Sequence, residues 1–198
     1  MGEKMVIKLP QPKIIGKVSL EQTLSKRRSI RRYINKNFTQ EQVSQLLWSA
    51  QGITEPRMRF RTAPSAGALY PMEIYLVAHN GLYHYIPDGH KIEKLSDRDI
   101  RREFSGACGG QRFIAEASIS IVISAVYERV TGRYGKRGIR YVDMEAGHIA
   151  QNIHLQAVAM DLGSVSVGAF DDAAVEKLLN LPKDHRVIYI IPVGYSAK

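Results

Sequence analysis

Apolar positions along this chain follow two periods. Behind Thr39-Gln40-Glu41-Gln42, a hydroxyl and a glutamine at capping-box spacing, Val43, Leu46, Leu47 and Ala50 recur at helical intervals until Gly52 stops them. Ser19-Leu20-Glu21-Gln22 repeats the capping spacing and predicts an earlier helix. Residues 73–78 then read as a strand, Asn80-Gly81 as a tight hairpin turn, and residues 82–86 as the returning strand. Pro87-Asp88-Gly89 turns the chain into a third, short strand through Ile92 and Leu95.

A short helix is expected over 97–104, and the β-branched run at 118–125 has the composition of a buried strand. The longest helical pattern covers 139–161. Its apolar residues Val142, Ala146, Ile149, Ala150, Ile153, Ala157, Val158 and Met160 fill more than one stripe, which predicts packing on several sides. Gly163 reads as its terminus, Asp171 or Asp172 as the cap of a last short helix ending near Leu179, and 187–193 as a final strand. Strands in clusters with long helices between them predict an α+β fold. Repeats, linkers and low-complexity segments are absent, so 1–198 is expected to form a single domain, with 1–18 as an N-terminal extension.

Composition narrows the class. A chain of 198 residues, 44% hydrophobic and 24% charged, is long enough for one substantial core. Cys108 is the only cysteine, which excludes an intramolecular disulfide or a thiolate metal cluster and agrees with a reducing cytoplasm. Residues 1–10 lack the apolar core of a signal peptide, and no apolar run approaches the roughly 18 residues of a membrane span. The net charge of +9 is compatible with nucleic acid or an anionic membrane. Yet the basic stretches show neither the aromatic interleaving of an RNA-binding sheet nor a helix-turn-helix pattern. The surplus charge therefore points to anionic cofactors and substrates, with no nucleic-acid or membrane partner expected.

Two segments carry the candidate chemistry. Lys26-Arg27-Arg28-Ser29-Ile30-Arg31-Arg32 places five cations around one hydroxyl, and guanidinium forks match phosphate oxygens. Pro64-Ser65-Ala66-Gly67-Ala68-Leu69-Tyr70-Pro71 is an uncharged, small-residue turn ahead of a strand, where the backbone can approach a flat ring. Either alone would pass for a solvated face or an ordinary loop; together they suggest a phosphorylated aromatic cofactor.

With Tyr141-Val142-Asp143-Met144-Glu145-Ala146-Gly147-His148-Ile149-Ala150-Gln151-Asn152 and Leu162-Gly163-Ser164-Val165-Ser166-Val167-Gly168-Ala169-Phe170-Asp171-Asp172, these segments form four ordered matches between about Ser19 and Tyr195. On them the chain resembles the FMN-dependent nitroreductase superfamily, and looks closest to short members related to the azoline dehydrogenases of peptide-modification clusters. The resemblance implies a central, mostly antiparallel sheet flanked by helices, a homodimer with the long helix at its interface, and bound FMN with NAD(P)H as electron donor. It implies contacts from Arg27, Arg28, Ser29 and Arg31 to the FMN phosphate and the polar edge of the ring, with Arg32 pointing away. Pro64, Ser65, Ala66 and Gly67 would contact the ring through their backbone, and Val167 and Gly168 would lie beside flavin N5.

The chain departs from that pattern at two places. Many nitroreductases carry asparagine where this chain has Ala68, and glutamate where it has Val167. Gly168 can still bring a backbone N–H to N5, and the flavin itself carries the redox chemistry. Tyr141 is the one catalytic candidate, since Arg140-Tyr141 falls near a lysine-tyrosine pair that azoline dehydrogenases use for proton abstraction; an always-protonated arginine is a poor base, and a core tyrosine is the plain alternative.

No metal site is expected, because His148 and His154, six apart on a helix, do not share a face. Gly132-Arg133-Tyr134-Gly135-Lys136-Arg137 lacks the ending of a triphosphate-binding loop, and no G-x-G-x-x-G follows a strand. Three readings of function result. The first is an FMN-dependent oxidoreductase moving electrons between NAD(P)H and a small electron-poor acceptor, a nitroaromatic or quinone. The second is an azoline-type dehydrogenase acting on a peptide or small molecule with oxygen as acceptor. The third is a basic interaction module with a vestigial flavin site.

Overall fold

The computed structural model describes residues 5–197; the first four residues of the expected N-terminal extension, and Lys198, lie outside the described residues. The first half of the chain runs β1 (Val6–Lys8), α1 (Leu20–Lys26), β2 (Tyr33–Ile34), α2 (Gln40–Gln51), β3 (Ile53–Glu55), β4 (Phe60–Arg61), β5 (Met72–Ala78), β6 (Gly81–Ile86) and β7 (Lys91–Ser96). The second half runs α3 (Arg101–Ala107), α4 (Arg112–Glu116), β8 (Ile119–Ala125), α5 (Glu128–Tyr134), α6 (Arg137–Ala159), β9 (Gly163–Ser164), α7 (Asp172–Leu178) and β10 (Arg186–Ser196).

Eight strands make one sheet in the order β1-β7-β6-β5-β8-β10-β2, with β9 beside β10, and each of these pairings is antiparallel. Strand alternation sorts side chains to two faces. Ile119, Ile121 and Ile123 of β8 join Ile74, Leu76 and helix residues such as Leu46, Ile149 and Ile153 in one core. Val122 turns the other way, into a second core with Tyr75, Val77, Ile190, Phe104, Ile114 and Val175. The molecule is thus an α+β fold with a large antiparallel sheet between helices, as the sequence predicts. The segment before Ser19 contributes an edge strand, since β1 pairs with β7.

The capping boxes form as the spacing dictates: Ser19 and Gln22 satisfy each other's backbone at the start of α1, and Thr39 and Gln42 do so at α2. The long helix is covered mostly from within the chain. Val142, Ala146, Ile149, Ala150, Ile153 and Ala157 are buried, and α6 packs on α1, α2, α5 and the sheet. Its several apolar stripes are therefore largely accounted for by one chain.

Three local expectations shift, the first being the short helix expected over 97–104, which is α3 at Arg101–Ala107. The hairpin turn is His79-Asn80, with Gly81 already paired to Ala78 as the first residue of β6. Gly81 is required there because its φ is 138° and a Cβ would lie 2.2 Å from the Ser96 carbonyl oxygen. Gly163, read from the sequence as a helix terminus, is instead a strand residue paired with Gly194. The helix ends at Ala159, and Asp161 supplies the left-handed residue beyond it, at φ 58°.

Gly163 matters for another reason. A Cβ there would sit 2.7 Å from Ile30 Cγ2, so the missing side chain is the space that Ile30 occupies. Gly163→Ala should cost about 1–3 kcal/mol by overpacking and displace the segment carrying Arg27, Ser29 and Arg31. Urea unfolding checks the loss; unchanged stability would show that Ile30 moves aside freely.

Candidate functional site

The loop between β4 and β5 holds three residues in the left-handed region within four positions: Gly67 at φ 62°, Ala68 at 53° and Tyr70 at 47°. Two of them bear side chains, a conformation that persists only where surrounding bonds enforce it. Those bonds are present. The Ser65 hydroxyl accepts from the Tyr70 backbone N–H at 2.9 Å, Arg129 donates to the Tyr70 carbonyl at 3.2 Å, and the Arg61 backbone N–H donates to the Tyr70 phenol at 3.2 Å. The result is a tight turn with Gly67 and Ala68 exposed and no bulky side chain between Pro64 and Ala68.

Beneath this loop lies Glu145 of α6, buried to 2% exposure. Burial pushes its carboxyl up to about 7, against the opposing pull of hydrogen bonds with Ser65 and Gln51 and of the nearby Arg61 charge. Gln51 Nε2 donates to Glu145 Oε1 at 3.4 Å, and its Oε1 accepts from Arg61 Nη1 at 2.9 Å. Asn152, further along α6, donates to the Thr62 carbonyl at 3.2 Å. The helix thus bonds the loop directly through Asn152, while Glu145 reaches Arg61, at the loop's start, by way of Gln51.

The cationic segment leaves α1 and runs beside β9. Ser29 bridges Ser164, and the Ile30 N–H donates to the Ser164 carbonyl at 3.0 Å. Arg28 turns back, with Nη1 donating to the carbonyls of Ser25 and Arg27 at the end of α1. Arg31 and Arg32 are both exposed, and Ser29 with them. Among the ion pairs of the described residues, none engages Arg27, Arg28, Arg31 or Arg32.

Behind them sits His154, buried, with Nδ1 2.8 Å from Ser164 Oγ and Nε2 2.8 Å from Ser166 Oγ. Burial, and secondarily the Arg27 charge, lower its pKa to about 4, so the imidazole is neutral and bonds one serine as donor and the other as acceptor. His148, by contrast, is exposed.

Glu145 and His154 stand nine positions apart on α6, about 14 Å at 1.5 Å per residue. A side-chain-poor loop over one, and by the other cations outside the ion pairs of the described residues, suit a ligand with a flat polar ring at one end and an anion at the other.

Val167 and Gly168 follow Ser166. Val167 is buried in the second core, and its N–H and C=O both pair with Ile190, so its side chain and backbone are committed to the fold. Gly168 is exposed, and a Cβ built on it would meet only Tyr189 Cε1, at 3.7 Å.

Tyr141 packs edge-to-face on Tyr134 at 5.3 Å between ring centroids. It is Tyr134 and Arg133 that reach the loop. A Cβ at Gly67 would lie 2.8 Å from Tyr134 Oη and 3.1 Å from Arg133 Nη1. Sequence reading tested Gly132-Arg133-Tyr134-Gly135 only as a triphosphate loop and did not foresee this role; a tyrosine-arginine pair closing a helix before a glycine was the available signal. Cys108 is buried, and burial pushes its thiol up to about 12, so it behaves as a small hydrophobe.

The two buried titrating groups act on stability in opposite senses. Glu145 carries a raised pKa, so its contribution is full below its ordinary value of 4.5 and is lost as pH rises through about 7. His154 carries a lowered pKa, so its contribution is full above 6.5 and is lost as pH falls toward 4. Removing the first with Glu145→Gln should make the variant gain on the wild type by up to about 3 kcal/mol between pH 4.5 and 8. Urea unfolding at several pH values measures this difference, and parallel pH profiles would contradict it.

Comparison with known proteins places this geometry. A protein of Methanocaldococcus jannaschii that bears the nitroreductase name is 44% identical over 200 residues, covering 98% of this chain and 98% of its own. The Microcin B17-processing protein McbC of Escherichia coli is 27% identical over 157 residues, covering 74% of this chain and 57% of its own. A crystal structure from Ralstonia eutropha, also named as a nitroreductase, superposes with a TM-score of 0.89 at 29% identity, over 98% of this chain and 90% of that one. The family model described as the nitroreductase family matches residues 24–195, which take in the cationic segment, the strained loop, the long helix and Gly168, and the chain belongs to that family.

Proposed function

We infer that this chain is an FMN-dependent oxidoreductase that moves electrons from NAD(P)H to a small electron-poor acceptor such as a nitroaromatic or quinone. The observation that carries the reading is the pairing, along one helix, of a strained small-residue loop with cations that take part in none of the ion pairs of the described residues. Arg27, Ser29 and Arg31 would hold the phosphate, with Arg28 lending charge while it closes α1. Ser65, Ala66 and Gly67 would offer backbone groups to the ring, and Gly168 would leave its reactive edge uncovered. The flavin supplies the redox chemistry when bound, accepting and releasing a hydride equivalent at N5. The chain itself contributes binding, orientation and a surface without competing side chains. A reducing cytoplasm is the setting we propose, in keeping with the single buried thiol.

A second chain completes the site in this reading. Leu20 and Leu24 stand one turn apart on α1 at 60% and 52% exposure, and Ile139 and Met144 remain exposed on the adjoining α6. Four large apolar side chains exposed on these two helices are ones that a homodimer would cover. Light scattering should give twice the chain mass, and Leu24→Glu with Met144→Glu should reduce it to one; a flavin-loaded monomer at micromolar concentration would contradict the dimer.

One observation favours an azoline-type dehydrogenase as a second reading: Arg133 and Tyr134 lie against Gly67, where a substrate above the ring would meet them. Arg133 is permanently cationic and cannot take up a proton, which leaves the Tyr134 hydroxyl as the exchanging group. The likeness to McbC supports this reading as well. Steady-state assays separate the two. Oxidation of NAD(P)H with a nitroaromatic or quinone supports the first, while oxygen uptake on an azoline-containing peptide without NAD(P)H supports the second.

A further inference from the structure

Three arginines border the strained loop, and two of them are committed to holding it. Arg61 donates to Gln51 Oε1 at 2.9 Å and lies over the Tyr70 ring, 4.4 Å from its centroid. Arg129 of α5 donates to the Tyr70 carbonyl at 3.2 Å and pairs with Glu73 at 2.6 Å, and Glu73 is anchored in turn by His84 at 2.7 Å. Arg133 stands one turn further along α5, on the same face. Its Nη1 lies 3.1 Å from where a Cβ at Gly67 would be, and its guanidinium rests over the Tyr134 ring, 5.5 Å from the centroid. Yet it takes part in none of the ion pairs of the described residues. We propose that Arg133 is a specificity residue, which selects an electron acceptor bearing a carboxylate or phosphate beside the group that is reduced. The inference rests on the flavin-site reading above and deepens it, by naming the class of molecule that reaches the ring.

The element that presents Arg133 is held at both ends. Arg129 ties the start of α5 to the loop, and Tyr134 at its end packs edge-to-face on Tyr141, 5.3 Å between ring centroids. A guanidinium offers a planar fork of donors that matches two oxygens of a carboxylate or phosphate, and such charge-assisted bonds are roughly twice as strong as neutral ones. The local charge has the same sign. From Glu128 to Tyr141 the chain carries Arg129, Arg133, Lys136, Arg137 and Arg140 against the single acid Glu128, and the next acid, Asp143, accepts from the Tyr127 phenol at 2.7 Å. This field draws anions toward the loop and weakens as salt is added. Reduction of a nitro acceptor to the nitroso compound takes up two electrons and two protons and releases water. Arg133, permanently protonated, gives up no proton to that step and contributes binding and orientation alone.

The test is the anaerobic reoxidation of FMN-loaded protein, reduced with one equivalent of dithionite and mixed in stopped flow with 4-nitrobenzoate or its neutral counterpart 4-nitrobenzamide. Second-order rates are compared as the benzoate-to-benzamide ratio, so the intrinsic reactivity of the two compounds cancels between proteins. Arg133→Met keeps an unbranched stem on Tyr134 and should lower that ratio by roughly 5–20-fold, near the low end for one charge-assisted hydrogen bond because Arg133 is exposed. Arg133→Lys keeps the charge without the fork and should recover part of the ratio, and added salt should bring the wild-type ratio toward that of Arg133→Met. A ratio unchanged in Arg133→Met would overturn the inference while leaving the flavin site in place. If that variant is instead slowed only in its reduction by NADPH, the guanidinium serves the donor's phosphates and the inference falls. Reduced protein that neither compound reoxidises would remove the electron-transfer reading and the inference with it. Should Arg133→Met not fold, a wild-type ratio that does not respond to salt overturns the inference alone.

Discussion

Replacing Arg27 and Ser29 together by alanine should lower FMN affinity by about 3–6 kcal/mol, because two charge-assisted bonds to phosphate are worth about 1.5–3 kcal/mol each. The fold should survive. Arg27 is half-buried and in none of the ion pairs of the described residues, and the Ser29 side chain is exposed, so neither holds the chain together. Removing the Arg27 charge also takes away one of the influences that lower the pKa of His154, so the variant's histidine should titrate at a higher pH than the wild type's. Equilibrium dialysis against FMN reads the affinity. Stoichiometric FMN retained by the double variant would remove the phosphate assignment from this segment.

Gly168→Val should bleach the protein or slow its reduction by NAD(P)H while leaving stability nearly unchanged. The chain has room for the new side chain, since only Tyr189 comes within 4 Å of its Cβ, at 3.7 Å, and φ at this position is not in the left-handed region. A loss of flavin would therefore report on what lies outside the chain at that edge. The contrast is Gly67, where φ is 62° and Tyr134 and Arg133 crowd a Cβ, so that a substitution strains the fold and the site at once. If Gly168→Val binds FMN and is reduced at the wild-type rate, the segment from Val167 to Ala169 does not border the reacting edge.

Much of the fold was legible because its signals are local. The capping boxes at Ser19 and Thr39, the alternation of β5 and β6 and the periodicity of α6 each depend on a few adjacent residues, and each forms where the spacing predicts. What the sequence hides is tertiary. Gly163 looks like a helix terminus until Ile30, more than a hundred residues away in sequence, is seen to need its space. The short strands β1, β2 and β9 and the short helices α4 and α5 have too few residues for a periodic signal, and they exist because the sheet and α6 give them something to pair with or pack on. At the candidate site the two sequence motifs were visible. Glu145, His154 and Tyr134 were not, since their meaning lies in burial and in partners distant along the chain.

The central claim is that the loop from Pro64 to Ala68 and the cations from Arg27 to Arg31 hold the two ends of one FMN molecule. Titrating the purified protein with FMN and then mixing the complex anaerobically with NADH or NADPH tests it most directly. The account predicts saturation at one FMN per chain and bleaching of the bound flavin by at least one of the two donors. A folded protein that neither quenches FMN fluorescence nor carries a flavin absorption band would contradict it.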